Sequence, residues 1–294
     1  MIDSLHIGRG TTRGALTLFP IWGEGQAGPA YSTLTDDVAV SELPDGARVD
    51  RLVVSNTGRQ PLLLVAGELL AGGQQDRMVA ETVLVPALER TEVDVVCVEQ
   101  GRWGGNGTHR SSGLRAGSRI RSGLRSAGTG HGAGPRRQEA VWSRVAEVGT
   151  RHGASPAGSY LAYDERVQPE AAEMAAALKP FPGQIGVMVG IAGHPVFAEV
   201  FDRPIALRRQ FQSIVAAAVF DSAGQAPIAT PSHRARRFLE LAAGVRAQGA
   251  EQAGIGMRRC GGTDKAEVAS LDWMDHEIHA LLTNPRHQLN LLEA

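Results

Sequence analysis

Short runs in which apolar and polar residues alternate dominate the first hundred residues of this chain. Residues 49–55 and 60–66 are two such β-rich runs, and the polar stretch Asn56-Thr57-Gly58-Arg59 between them predicts a hairpin turn. Residues 93–98 become apolar on both faces, which is typical of a buried strand. The pattern therefore predicts an antiparallel β assembly in this part of the chain.

Helical and hairpin signals are mixed in the second half. Residues 138–148 carry valines at helical spacing and predict a helix. Residues 185–201 and 268–282 each predict a hairpin, and Asp202 is suited to cap the N-terminus of a helix over residues 204–220. The same signals predict further helices over residues 169–178 and 232–247.

Strands, helices and hairpins without a regular βαβ alternation indicate an α+β fold. We expect an antiparallel β-rich lobe over residues 1–103, packed on a mixed helix and hairpin lobe of the same domain over residues 138–294. Residues 104–137 are rich in Gly, Ser and Arg and contain no Asp or Glu. This composition predicts a flexible, solvated loop; the alternative is a basic flap that orders over an anionic ligand. The segment has no aromatic residue to stack on bases, so nucleic acid is an unlikely partner.

Composition narrows the class of protein further. The chain has 294 residues and a net charge of −1, so the whole molecule has no electrostatic attraction for nucleic acid or membranes. Its two cysteines, Cys97 and Cys260, are too few for a disulfide framework, and we expect both to be reduced. The N-terminus lacks the pattern of a secretion signal, and no apolar run is long enough to span a membrane. We therefore expect a cytoplasmic protein.

A first polar cluster follows one of the β-rich runs. Gly72 and Gly73 allow a backbone with positive φ and let main-chain N–H groups approach a ligand, together with Gln75. Glu68 is a candidate general acid/base, and Arg77 is a candidate for holding a phosphate or carboxylate. The alternative is a glycine-rich turn in which Glu68 and Arg77 pair with each other or with neighbouring charges.

A second cluster follows the buried strand over residues 93–98. Glu99 is a second candidate acid/base, Arg102 a second anion ligand, and Trp103 a surface on which a flat ring could stack. The alternative is that Glu99 and Arg102 form an ion pair while Trp103 caps the core. Cys97 is expected to be a small core residue, because nothing nearby in sequence would lower its pKa.

A metal site is not expected. His276, Glu277 and His279 lie close in sequence, but their spacing differs from the pattern that puts two histidines on one helical face. A metal hydrolase using these histidines is a third hypothesis, and we expect neither a metal nor a cofactor.

Taken together, the motifs resemble the ADP-ribosylglycohydrolase- and rhodanese-phosphatase-superfamily-associated protein domain. The most specific part of the resemblance lies between Leu64 and Trp103. There the loop usually written Gly-x-Lys-Gln-Asn-Arg reads Gly72-Gly73-Gln74-Gln75-Asp76-Arg77, which removes a cation and adds a carboxylate. The other matching positions are Tyr31, Leu34, Glu42, Asn56, Gln138, Val141, Trp142, residues 186–201, Asp202 and His279.

The resemblance implies a role in ADP-ribose or NAD-linked metabolism, beside proteins that process ADP-ribose. Our leading hypothesis is an enzyme or ligand-binding protein for an anionic, nucleotide-like molecule such as ADP-ribose or NAD. In this hypothesis Arg77 and Arg102 hold phosphates. Glu68 or Glu99 either binds the ribose or acts as a general acid/base. The alternative is a non-catalytic interaction module of the same pathway, in which the charged residues form a structural ion network.

Overall fold

The structure is a computed structural model in which residues 2–24, 27–33, 38–125, 134–152, 158–162 and 173–291 are described. A 3₁₀ turn, Ile2–Ser4, precedes the first strand. The helices are α1 (Ser118–Arg125), α2 (Gly134–His152), α3 (Pro204–Ser222) and α4 (Ser232–Ala243). The strands up to residue 115 are β1 (Leu5–Ile7), β2 (Thr11–Arg13), β3 (Leu16–Gly23), β4 (Ser32–Thr33), β5 (Val38–Ser41), β6 (Arg51–Asn56), β7 (Leu62–Leu64), β8 (Glu68–Gly72), β9 (Arg77–Val79), β10 (Val83–Val85), β11 (Arg90–Cys97) and β12 (Thr108–Arg115). The later strands are β13 (Gly186–Ile191), β14 (His194–Phe201), β15 (Ala250–Ala253), β16 (Gly256–Gly262), β17 (Glu267–Trp273) and β18 (His276–Thr283).

Antiparallel sheets and helices together confirm the α+β fold class. The chain divides into two compact units, one made of residues 1–29 and 173–291 and the other of residues 30–172 and 292–294. The first is called the sheet unit below, and the second the barrel unit. This division differs from the expected boundaries at residues 103 and 138, because the first strands pair with strands from the C-terminal part of the chain.

The sheet unit is built on one antiparallel sheet. Its strand order is β1-β3-β13-β14-β18-β17-β16-β15, with β2 also paired to β3. Phe19, Met188 and Val200 on one face pack with Phe238 of α4, while α3 also packs on strands β3, β13 and β14. Because this sheet is covered by helices, strands β13 and β14 are buried almost throughout, as their apolar runs predict.

The barrel unit contains a closed barrel of six strands in the order β11-β6-β5-β12-β8-β9. All of the neighbouring pairs are antiparallel. A small sheet of β10, β7 and β4 accompanies the barrel, and its β4–β7 pair is parallel. The barrel matters for the site because its register sets Arg77 opposite Leu70 and His109 opposite Gly72.

The described part of residues 104–137 differs from the expected flexible loop. Within this segment Thr108–Arg115 forms strand β12, which pairs with both β5 and β8, and Ser118–Arg125 forms helix α1. Small residues allow this packing, since a Cβ atom on Gly123 would lie 2.9 Å from the backbone of Val141 in α2. Strand pairing and close approach to α2, together with the burial of Ala116 and Ile120, therefore order the segment where it is described.

Three local predictions are also wrong. The polar stretch after β6 does not form a hairpin, because β6 and β7 belong to different sheets. Instead the Asn56 amide donates to the carbonyls of Gln60 and Pro86, at 2.9 Å each, and turns the chain between them. Glu68 begins strand β8 rather than following a strand. The N-cap of α3 is Arg203, whereas the Asp202 carboxylate accepts from the Gly28 amide at 2.8 Å.

The remaining local predictions agree with the structure where it is described. The hairpins β13–β14 and β17–β18 and the helices α2, α3 and α4 occur at the expected places. Of the helix expected over residues 169–178, residues 169–172 lie outside the described residues, and residues 173–176 are helical. No helix in the described part of the chain is long and apolar enough to cross a membrane.

Candidate functional site

An ion pair within the second polar cluster of the barrel unit lies where the two clusters meet. Arg102 Nε donates to Glu99 Oε1 at 2.7 Å, and its Nη2 donates to Glu99 Oε2 at 2.6 Å. The carboxylate is buried, with its side chain 4% exposed, while the side chain of Arg102 is 36% exposed. The hydrogen bonds that Arg102 donates to Glu99 are the main reason that the pKa of Arg102 is raised. A bidentate ion pair of this kind fixes both side chains in one geometry.

Asp76 extends this pair into a network that joins several loops. Its backbone amide donates to Glu99 Oε2 at 2.9 Å, and its Oδ1 lies 3.3 Å from Arg102 Nη2. Its other oxygen accepts from Ser159 Oγ at 2.8 Å. We call Asp76, Glu99, Arg102 and Ser159 the lock. Asp76 thus lies within bonding distance of a cation.

Main-chain carbonyl oxygens accept hydrogen bonds from the remaining guanidinium nitrogen of Arg102. Its Nη1 donates to the carbonyls of Gly73, at 2.9 Å, and Gly104, at 3.2 Å. Every nitrogen of the guanidinium therefore donates to a protein oxygen. The geometry is that of a cross-link between the β8–β9 turn and the segment before β12.

Arg77 belongs to a second group of charges, which we call the Glu42 cluster: Glu42, Arg77 and His109. Glu42 Oε1 lies 3.1 Å from His109 Nε2 and 3.9 Å from Arg77 Nη2. Arg77 Nη1 donates to the backbone carbonyl of Gln75 at 3.0 Å, and the Gln75 amide donates to the carbonyl of Glu99 at 2.9 Å. Gln75 therefore connects the Glu42 cluster to the lock.

The Glu42 cluster is buried and incompletely bonded. The side chain of Arg77 is 0% exposed. Among the described residues, Arg77 Nε and Nη2, Glu42 Oε2 and His109 Nδ1 have no hydrogen-bond partner. Burial lowers the pKa of His109, against the opposing effect of Glu42, so the ring is neutral at neutral pH.

Glu68 lies on the same face as Arg77. Arg77 is opposite Leu70, and Glu68 precedes Leu70 by two residues on β8, so the two side chains point to one side of the sheet. Arg115 is the backbone partner of Glu68, and a Cβ on Gly67 would lie 2.6 Å from Cδ of Arg121. Two buried arginines of the expected loop thus lie beside the Gly67-Glu68 pair.

The glycines of the motif make room for side chains. Gly73 has φ +55°, and a Cβ there would lie 2.0 Å from His109 Nε2. The Gly72 amide donates to Asp76 Oδ1 at 2.9 Å, and the Gly73 amide donates to the carbonyl of Thr108 at 2.8 Å. Both N–H groups are therefore committed to protein acceptors.

Trp103 and Cys97 have contrasting surroundings. Trp103 is 56% exposed and so does not cap the core. Cys97 is fully buried, its Sγ donates to the Glu99 carbonyl, and burial raises the pKa of its thiol. A protonated, inaccessible thiol is a poor nucleophile.

Two other places bear on the expected chemistry. Val95, Gln138 and Trp142 line a cavity of about 770 Å³ beside α2. None of the eight residues that the sequence analysis proposed for the site lines this cavity. In the sheet unit, His279 is buried and its Nε2 lies 3.1 Å from Glu199 Oε1. Within the described ranges, no three His, Cys, Asp or Glu side chains are grouped so that they could hold a metal ion.

Sequence reasoning missed Glu42, His109 and Ser159 as members of this site. Glu42 was among the residues of the family resemblance, but nothing in its own surroundings pointed to Arg77. One feature of the sequence pointed to His109. Residues 104–137 carry no Asp or Glu, so a carboxylate partner for His109 has to come from elsewhere in the chain.

The fold and the site define an α+β protein with an antiparallel barrel whose loops are joined by a partly buried ion pair. The family model for the ARG and Rhodanese-Phosphatase-superfamily-associated Protein domain, ARPP-1, matches residues 4–283. The chain belongs to this family, as its motifs indicate. No curated protein and no solved structure matches the chain significantly.

Replacing Gly73 by alanine is expected to destabilise the protein more than replacing Gly14, because Gly14 has the same kind of backbone, φ +57°, with nothing within 4 Å of its Cβ position. Gly14→Ala carries only the backbone strain, about 1–2 kcal/mol. Gly73→Ala also displaces His109, which we expect to add at least about 1–2 kcal/mol. Urea denaturation followed by circular dichroism measures both, and equal losses would contradict the contact with His109.

His109 is expected to make the protein less stable in mild acid. In the unfolded chain it takes up a proton below about pH 6.5, whereas in the folded protein its lowered pKa keeps it neutral to lower pH. Its contribution is therefore fully present above pH 6.5 and is lost as the pH falls below that value.

Thermal denaturation between pH 7.5 and pH 5 checks this expectation. The melting temperature of wild type should fall more steeply than that of His109→Gln, while the exposed control His233→Gln should follow wild type. Parallel curves for wild type and His109→Gln would show that His109 does not carry the effect.

Proposed function

We propose that this chain is a non-catalytic, cytoplasmic interaction module that works beside ADP-ribose-processing proteins. The family description supports an association, because it ties the domain to the ARG and rhodanese-phosphatase superfamilies. The observation that carries the proposal is the bonding of Arg102, whose guanidinium nitrogens all donate to protein oxygens. An arginine bonded in this way holds loops together and has no donor left for a phosphate.

The lock also fixes the backbone around an exposed tryptophan. Arg102 precedes Trp103 and bonds to the carbonyl of Gly104, and the Gly104 amide donates to the Gln74 carbonyl at 3.3 Å. The backbone is therefore held on both sides of an indole that is 56% exposed. Tryptophans dominate the binding energy of many protein interfaces, and a pre-ordered anchor loses little entropy on binding. We assign Trp103 the role of anchor for the partner protein.

Trp103→Ala tests this role against Leu88→Ala, a matched truncation of another exposed apolar side chain in the same unit. The probes are an ADP-ribosylglycohydrolase and a rhodanese-phosphatase-superfamily protein from the same organism, with binding measured by biolayer interferometry. At least one should bind, Trp103→Ala should weaken binding at least about tenfold, and Leu88→Ala should change it little. Absence of binding to both probes, or equal losses in the two variants, would rule the proposal out.

A second candidate function is binding of an anionic, nucleotide-like ligand such as ADP-ribose at the Glu42 cluster. It is favoured by the unmatched buried atoms of Arg77, Glu42 and His109, because each unsatisfied buried polar group costs about 1–3 kcal/mol. A phosphate at Arg77 and a ribose hydroxyl at Glu42 would satisfy them. In this reading Glu68, on the same face, is the candidate acid/base, and the barrel must open to admit the ligand.

ADP-ribose should then raise the melting temperature of wild type, since a ligand at about 100 times its Kd stabilises by about 2.7 kcal/mol. His109→Gln should reduce the shift, because it replaces the imidazole beside Glu42. No shift in wild type, or the same shift in both proteins, would exclude a ligand at this cluster.

A further inference from the structure

A cationic groove lies in the sheet unit, far in sequence from the motif clusters. It has a volume of about 690 Å³ and is bordered by the β13–β14 turn, helix α4, the loop before β17 and the chain after β18. No aspartate or glutamate lines it, whereas three histidines do. Its four permanent cations are Arg234, Arg237, Lys265 and Arg286.

Nearby acids neutralise this charge only in part. Arg237 pairs with Glu240 at 3.2 Å, and Arg286 pairs with Asp264, but in both pairs the side chains are more than half exposed. Exposed pairs of this kind are weak and exchange partners readily. The side chain of Lys265 makes no ion pair or hydrogen bond with any described residue.

The arrangement of the cations is held by the fold. Arg234 Nη1 donates to the Gly193 carbonyl at 2.8 Å and to His194 Nε2 at 3.1 Å, which ties α4 to the β13–β14 turn. Arg237 follows three residues later and so lies on the same side of the helix. Like charges this close, near the start of a helix, repel each other and the helix dipole. A bound anion would relieve both effects.

We infer that this groove binds a small organic diphosphate of the nucleoside diphosphate class. Its volume is within the range of ligand pockets, and the partly exposed Leu241 gives one wall an apolar surface for the organic part. Arg237, Lys265 and Arg286 reach the phosphates. This inference is independent of the proposed function, because it uses none of the residues of the lock or the Glu42 cluster.

The chain offers a matched test, because Lys179 and Lys265 are its only lysines. Both are exposed and lie in the sheet unit, but Lys179 is not in the groove. Calorimetric titration with ADP in 25 mM salt should detect binding to wild type. Lys265→Glu should weaken it at least tenfold, and Lys179→Glu should leave it within twofold.

Titration with adenosine, which lacks the phosphates, tests their contribution to binding. Adenosine should bind at least tenfold more weakly than ADP. Raising the salt to 200 mM should also weaken ADP binding, since the contacts are mainly ionic. The inference is overturned if wild type does not bind ADP, if the two lysine variants behave alike, or if adenosine binds as well as ADP. Binding of the partner proteins to Trp103 is unaffected by any of these outcomes.

Discussion

The ion pair between Glu99 and Arg102 is the interaction on which the barrel loops depend. A carboxylate buried as deeply as that of Glu99 is unfavourable unless a cation and hydrogen-bond donors meet it. Arg102 meets this requirement and at the same time bonds to carbonyls of two separate loops. The two motif clusters are therefore halves of one structural unit.

The glycine-rich loop illustrates how one sequence pattern serves different ends. Glycines in such a loop usually suggest that backbone N–H groups cradle an anion. Here the amides of Gly72 and Gly73 bond to protein acceptors, and the missing Cβ of Gly73 leaves space for His109. The neutral imidazole then meets Glu42, and this contact extends the charge network into the part of the site with unmatched donors.

Local patterns were enough to predict much of the fold. The hairpins β13–β14 and β17–β18 and helix α3 follow from periodicity and turn residues, which act over a few positions. Strand β12 and helix α1 could not be predicted in this way, because pairing with β5 and β8 and close contact with α2 order a segment that is poor in apolar residues. Asp202 was wrongly predicted as a helix cap for the same reason, because its hydrogen-bond partner Gly28 is distant in sequence.

The candidate site was likewise predicted in part. The sequence identified Gln75, Arg77, Glu99 and Arg102, and the spacing of the clusters suggested that they meet. It left open whether Glu99 and Arg102 bind a ligand or each other, because that depends on the loop carbonyls that surround Arg102. Glu42 and His109 join the site through strand register, which depends on the pairing of β12 with β8 and β5.

The pairing of β3 with β13 has a consequence for how the chain matures on the ribosome. Among the described strands, β1 and β2 pair only with β3, and β3 finds its next partner in Gly186–Ile191. All six barrel strands lie between these two partners, so they leave the exit tunnel before the sheet can close. The first 23 residues therefore stay unpaired with β13 until residues 186–191 have been synthesised.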